Sequence, residues 1–86
     1  MSMKTLEIRR FRKLPVVIDT VQLTKDNIGA VAHWCDGTVG GFNAWINIPT
    51  KEGVMRADLN DWVVKGVVGE FYPVKPDIFD MTYEPE

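Results

Sequence analysis

The strongest constraint on the fold of this chain lies between Ala44 and Val74, where short extended runs alternate with compact turn signals. Ala44-Trp45-Ile46-Asn47-Ile48-Pro49 and Val54-Met55-Arg56-Ala57-Asp58-Leu59 flank Thr50-Lys51-Glu52-Gly53, the composition of a hairpin with a four-residue connection and glycine at its strained position. Asn60-Asp61 then reads as a turn, Trp62-Val63-Val64-Lys65 as a strand, Gly66-Val67-Val68-Gly69 as a tight connection and Glu70-Phe71-Tyr72-Pro73-Val74 as the answering strand. Two hairpins in tandem predict an antiparallel meander.

Upstream, one segment has helical rather than extended periodicity. Ile28, Val31, Ala32 and Cys35 fall at i, i+3, i+4 and i+7 and form a single apolar stripe. Thr24 is a suitable N-cap, Asp26 lies where the helix dipole favours an anion, and Gly37 is expected to supply the left-handed residue that ends the helix. A helix over 25–35 is too short to be stable alone in water, so burial of that stripe must hold it. Ile28→Asp or Val31→Asp should therefore unfold the protein.

The flanks read as extended. From Thr5 to Lys13, Leu6, Ile8 and Phe11 alternate imperfectly with Glu7, Arg9, Arg10 and Arg12, as in a strand with one wet face and a bulge before Phe11. Pro15 interrupts pairing, and Val16 to Leu23 is β-branched enough for a second strand or a continuation at a corner. Thr38 to Asn43, with Gly40-Gly41 adjacent, reads as a loop of the kind that often carries function. Pro76 suits a first helical position, which predicts one helical turn near 76–79. Phe79, Met81 and Tyr83 then alternate with polar residues as an edge strand would. Together these pieces predict an α+β fold: a strongly bent antiparallel sheet of about six strands, open enough to resemble a partly open small barrel, packed on one short helix. A chain of 86 residues with no repeat or linker should form a single domain, 1–86.

Composition sets further bounds. With 45% hydrophobic residues the chain can build a core, but one this small contributes only about 3–5 kcal/mol unaided, which makes homo-oligomerisation an expected supplement. Cys35 is the sole cysteine and cannot crosslink its own chain, so a reducing cytosol is the simplest setting. No apolar run has the length of a signal core or a membrane span. A net charge of −2 argues against general nucleic-acid binding. The charge is unevenly placed: Lys4, Arg9, Arg10, Arg12 and Lys13 are half of the cations, while Asp77, Asp80, Glu84 and Glu86 make the other end acidic. If first and last strands are neighbours these charges partly cancel; otherwise the cations form a basic patch.

Candidates for chemistry are few. His33 is the only histidine and sits beside the apolar stripe, Cys35 lies on it, and two residues apart on a helix they point to different sides, which disfavours a nucleophilic pair. One Cys and one His cannot supply a single-chain structural zinc site. The carboxylates are scattered, and no phosphate-binding glycine motif is present. No catalytic residue, metal ligand or cofactor is therefore expected. Trp34, Trp45, Trp62, Phe71 and Tyr72 could line a pocket or partner surface, with Trp62 and Phe71 assigned to the core because a small domain needs large side chains there.

Phe11-Arg12-Lys13-Leu14-Pro15-Val16-Val17-Ile18-Asp19-Thr20-Val21-Gln22, Trp34-Cys35, Ile48 to Gly53, Asp61 to Gly66 and Gly69 to Phe79 with Thr82-Tyr83-Glu84-Pro85 resemble, over nearly the whole chain, a family of small phage and prophage proteins. Its members have an FRKKPVVIEAVQ-like beginning and a GDWIIKGVKGEFYPCKPDIF-like later motif. Asn60 stands where members have Gly, tolerable because Asn enters the left-handed region readily, and Val74 stands where many have Cys. The resemblance implies a phage source and the cytoplasm of an infected bacterium, but no mechanism. Carried onto this chain, its most recognisable patch is Glu70, Tyr72, Lys75 and Asp77 with Trp62, residue types that a hairpin, a turn and a helix start also require.

The functional expectations rank as follows. A non-enzymatic module that binds a host protein, through the face around Trp45, Tyr72 and Lys75, comes first. An oligomer capturing a small nucleotide signal of host defence comes second, with aromatics stacking on a base and Arg10, Arg12 and Lys75 meeting phosphate. An enzyme comes last, since no nucleophile, base and orienting group can be named together.

Overall fold

A computed structural model describes residues 6–86. The described residues form an α+β arrangement of two three-stranded antiparallel sheets and two short helices. In chain order these are β1 (Asp19–Gln22), α1 (Ile28–Trp34), β2 (Thr38–Gly40), β3 (Trp45–Thr50), β4 (Gly53–Asp58), β5 (Trp62–Lys65), β6 (Phe71–Val74) and α2 (Pro76–Thr82). One sheet has the order β1-β5-β6, the other β2-β3-β4.

Both expected hairpins form. In β3–β4, Thr50 pairs with Gly53, so the loop proper is Lys51-Glu52 and Gly53 takes φ 112°. In β5–β6, Lys65 pairs with Phe71, and the turn closes through Gly66 N–H to Glu70 O and Gly69 N–H to Gly66 O. The hairpins do not share one continuous sheet. The chain turns a corner at Asn60, whose φ of 76° is one that asparagine tolerates better than most residues. Leu23 holds that corner: its N–H donates to Asp61 O and its C=O accepts from Asn60 N–H. The bent sheet is thus two sheets meeting at a corner, and no closed barrel forms among the described residues.

The apolar stripe of α1 is buried as its spacing requires. Ile28, Val31, Ala32 and Cys35 pack with Leu23, Ile46, Ile48, Ala57 and Val63 into one core, against which Val21, Trp34 and Phe71 lean. The helix is shorter than 25–35 because residues 25–27 form a turn. Thr24 nevertheless acts as a start signal: its hydroxyl accepts from Asn27 N–H while Asn27 Oδ1 accepts from Thr24 N–H, a reciprocal pair resembling a capping box. At the other end the left-handed residue is Asp36 (φ 55°), not Gly37. Gly37 N–H donates to Ala32 O, the long bond of a Schellman ending, and a Cβ on Gly37 would stand 2.5 Å from Ile46 Cγ2. Glycine is needed there for close approach to β3 rather than for its φ.

Three expectations at the flanks are corrected. The strand expected over Thr5 to Lys13 is absent from its described part: residues 6–18 form no ladder, and Leu6, Ile8, Phe11 and Leu14 are exposed (Thr5 lies outside the described residues). The strand expected over Val16 to Leu23 shrinks to Asp19–Gln22, because only these residues find a partner, in β5. The single helical turn near 76–79 extends through Thr82, which removes the edge strand over Phe79 to Tyr83. Phe79 and Tyr83 satisfy a period of 2 and also the i, i+4 spacing of a helix face; Met81, which should share their side in a strand, is exposed instead.

Helix α2 lies on the outer side of the first sheet. Cross-strand partners place Trp62, Val64 and Tyr72 on that side, opposite Val63 and Phe71. The Phe79 ring stacks on Trp62 with centroids 4.1 Å apart, and Tyr83 leans on Phe79. Val64 beneath them is fully buried.

Candidate functional site

The described side chains divide the sequence-derived candidates into separate groups. Trp45 and Lys75 belong to one chain of contacts. The Arg56 guanidinium lies 4.5 Å from the Trp45 ring centroid, and its Nε pairs with Asp58 Oδ1 at 2.9 Å. Lys75 Nζ bridges Asp58 Oδ2 at 3.1 Å and Asp61 Oδ2 at 2.9 Å. Asp61, the one buried charged residue among those described, also accepts from Asp58 N–H, so its carboxylate ties the β4–β5 corner to the start of α2. The ammonium of Lys75 holds Asp58 below the usual carboxylate range, helped by Arg56. Asp61 first, then Asp58, pushes Lys75 up. Lys75 is already paired on its protein side, and Asp77 follows it, exposed in the first turn of α2.

Trp62 and Tyr72 belong to the aromatic layer under α2. The two phenol oxygens of Tyr72 and Tyr83 lie 3.4 Å apart, and burial, then this contact, pushes Tyr72 up to about 12. Trp62 and Phe71 are both half-buried, Phe71 against Trp34 at the core and Trp62 against α2. Glu70 lies at the β5–β6 turn, where its carboxylate accepts from Val68 N–H and crowds Gly66. Arg10 and Arg12 lie on the exposed arm of residues 6–17. None of the three cations proposed for phosphate lines the groove of about 730 Å³ formed by residues of β3–β4, β5–β6 and the end of α1. Burial pushes the Cys35 thiol up, against thiolate chemistry. Among the described residues no cluster of three His, Cys, Asp or Glu is placed to hold a metal ion, and no helix is long and apolar enough to cross a membrane.

The feature that sequence reading located only as a loop is the β2–β3 turn. Gly41, Phe42 and Asn43 take φ of 62°, 55° and 66°, three successive left-handed residues closed by Ala44 N–H to Gly40 O at 3.0 Å. For L residues this conformation costs roughly 1–2 kcal/mol each. The Trp45 ring lies against the backbone of Gly40 and Gly41 so closely that a Cβ on either would clash with it. Trp45 therefore props the turn, Arg56 covers Trp45, and Phe42 stands at the tip fully exposed. A phenylalanine among small loop residues was the available signal; that Trp45 supports it could be seen only once β2 and β3 were paired.

No protein-family model matches this chain, and comparison with curated proteins and with solved structures finds no match.

Proposed function

We propose that this protein is a non-enzymatic phage module, made in the bacterial cytoplasm, that binds a host protein through the Phe42 turn. The observation that carries this reading is a large apolar ring held in full exposure by a left-handed turn and a buttressing tryptophan. Strain of this kind is retained where it serves a site, and an exposed aromatic on a backbone fixed by its turn is a good anchor for a partner's pocket. The Trp45–Arg56–Asp58–Lys75 chain supports this face from behind rather than meeting the partner directly. The phage source rests on the sequence resemblance.

A photo-crosslinking residue at position 42, compared with one at Lys25, tests the proposal in bacterial lysate. The expected result is one host protein captured from position 42 only, and lost when Trp45→Ala loosens the turn while the melting transition persists. Equal capture from both positions, or capture indifferent to Trp45, would overturn it.

A further inference from the structure

The arm of residues 6–17 is the other region whose surface a lone copy does not explain. Leu6, Ile8, Phe11 and Leu14 are each about four-fifths exposed (80, 80, 80 and 77%), an apolar row on a chain that otherwise buries a complete core. The Cα atoms spread to a radius of gyration of 16.7 Å, where a compact chain of this length would have about 12 Å. The arm also carries the opposite charge from the body. Residues 1–13 hold five cations and one acid, whereas residues 14–86 hold five cations and eleven acids.

A surface of matching chemistry exists on the body. The open groove between the β3–β4 and β5–β6 turns is lined by Met55, Val68 and Phe71 and by three carboxylates, Asp36, Glu52 and Glu70, against one cation, Lys51. It borders β4, an edge strand whose outer backbone groups have no partner in the sheet. An extended arm can add to such an edge, inserting alternate side chains into the groove. Along its root the arm runs beside α2, with Lys13 Nζ 5.4 Å from the Tyr83 ring centroid, whereas the groove is lined by no residue of the arm.

We propose that residues 6–14 dock on a second copy of this chain, as an added strand beside β4, with Leu6 and Ile8 in the groove, a bulge at Arg9-Arg10 that returns Phe11 to the same side, and the arm's arginines against the groove's carboxylates. Exchange of two arms closes the assembly as a two-fold dimer. The arm surface is separate from the Phe42 turn, so this inference stands or falls independently of the proposed function.

Sedimentation equilibrium of the full chain tests it. The wild type should have twice the 9.8 kDa monomer mass at about 100 μM protein, and the dimer should weaken with added salt. Ile8→Asp/Phe11→Asp should give a monomer with native far-ultraviolet circular dichroism, since neither side chain enters the core. Glu52→Lys should weaken the dimer about tenfold, and Arg10→Glu in the same chain should recover part of the loss. A monomeric wild type would overturn the proposal, including the case where each arm folds onto its own groove. A dimer indifferent to Ile8 and Phe11 would overturn it equally.

Discussion

Strand β5 hides both of its faces, Val63 against the shared core and Val64 beneath α2, whereas β4, just upstream, buries only Ala57 and leaves Val54 and Met55 in solvent. Both strands are short, antiparallel and rich in apolar residues, so their composition does not explain the difference. Position in the sheet does. β5 is the central strand of its sheet and has a helix across its outer side; β4 is an edge strand that meets β6 on its inner side. The fully covered middle of a central strand, here Val63-Val64, tolerates no charge, while an edge can carry one and can also accept another strand.

Charge substitution at matched positions is the most severe way to break this contrast. Val64→Asp places a carboxylate with no partner in a fully dry site, a loss of about 3–5 kcal/mol, comparable to the whole stability expected of a core this small. The variant should be unfolded by circular dichroism at room temperature, as should Ile28→Asp and Val31→Asp, whose side chains are also buried. Val54→Asp should change stability by about 0.5 kcal/mol or less in urea titration. A folded Val64→Asp protein would mean that α2 does not cover β5.

The cover itself is tested next. Phe79→Ala removes the ring stacked on Trp62 and should cost about 1–3 kcal/mol, less than a fully buried aromatic because both rings are half-buried. Tryptophan fluorescence should shift to the red as Trp62 gains water. Met81→Ala, on the exposed side of the same helix, should be nearly neutral. Equal effects at the two positions would restore the alternating edge strand that the sequence suggests.

These two cases show what was legible before the structure and why the rest was not. The β3–β4 and β5–β6 hairpins and the α1 stripe follow from local turn chemistry and a single clear period, and they form where expected. Residues 79–83 fit two periods at once, and only packing against Trp62 selects the helix. Residues 6–13 alternate like a strand, yet alternation supplies one face and not a partner, and within one copy no partner is present. Of the face expected around Trp45, Tyr72 and Lys75, Trp45 and Lys75 are linked through Arg56 and Asp58, whose roles depend on a corner that no short motif encodes, while Tyr72 lies in the separate layer under α2. Phe42 stood out only as a phenylalanine among small loop residues; its left-handed backbone has no composition signal.

The clasp at that corner gives a more moderate effect. Lys75→Met leaves the buried Asp61 carboxylate with Asp58 N–H but without its cation, and should cost about 1–3 kcal/mol. Asp61→Asn in the Lys75→Met background should recover part of that loss by removing the unpaired charge. If the double variant is worse than the single, Lys75 acts through something other than Asp61.

Raising the pH probes the aromatic layer without mutation. The folded state holds the Tyr72 proton up to about 12, while an unfolded tyrosine releases it near 10, so this group contributes fully below pH 10 and its contribution is lost as pH climbs toward 12. Lys75, also pushed up, loses its contribution at alkaline pH in the same direction. Tyr72→Phe should therefore flatten, but not abolish, the decline in melting temperature over that interval. An unchanged decline would assign the alkaline loss to Lys75 alone.

The smallest expected effect separates two adjacent residues at the end of α1. Asp36 takes the left-handed conformation and Gly37 beside it does not, so the glycine that sequence reading assigns to the turn serves the contact with Ile46 instead. Asp36→Gly should relieve backbone strain and, after the added freedom of the unfolded chain, raise stability by about 0.5 kcal/mol. Gly37→Ala should lower it, because the new methyl meets Ile46 Cγ2 and the backbone oxygen of Asn47, and the latter cannot move without disturbing β3. Urea titration of both variants decides the matter: if Gly37→Ala is neutral, α1 sits farther from β3 than described, and the burial of Cys35 beneath that contact would need to be reassigned.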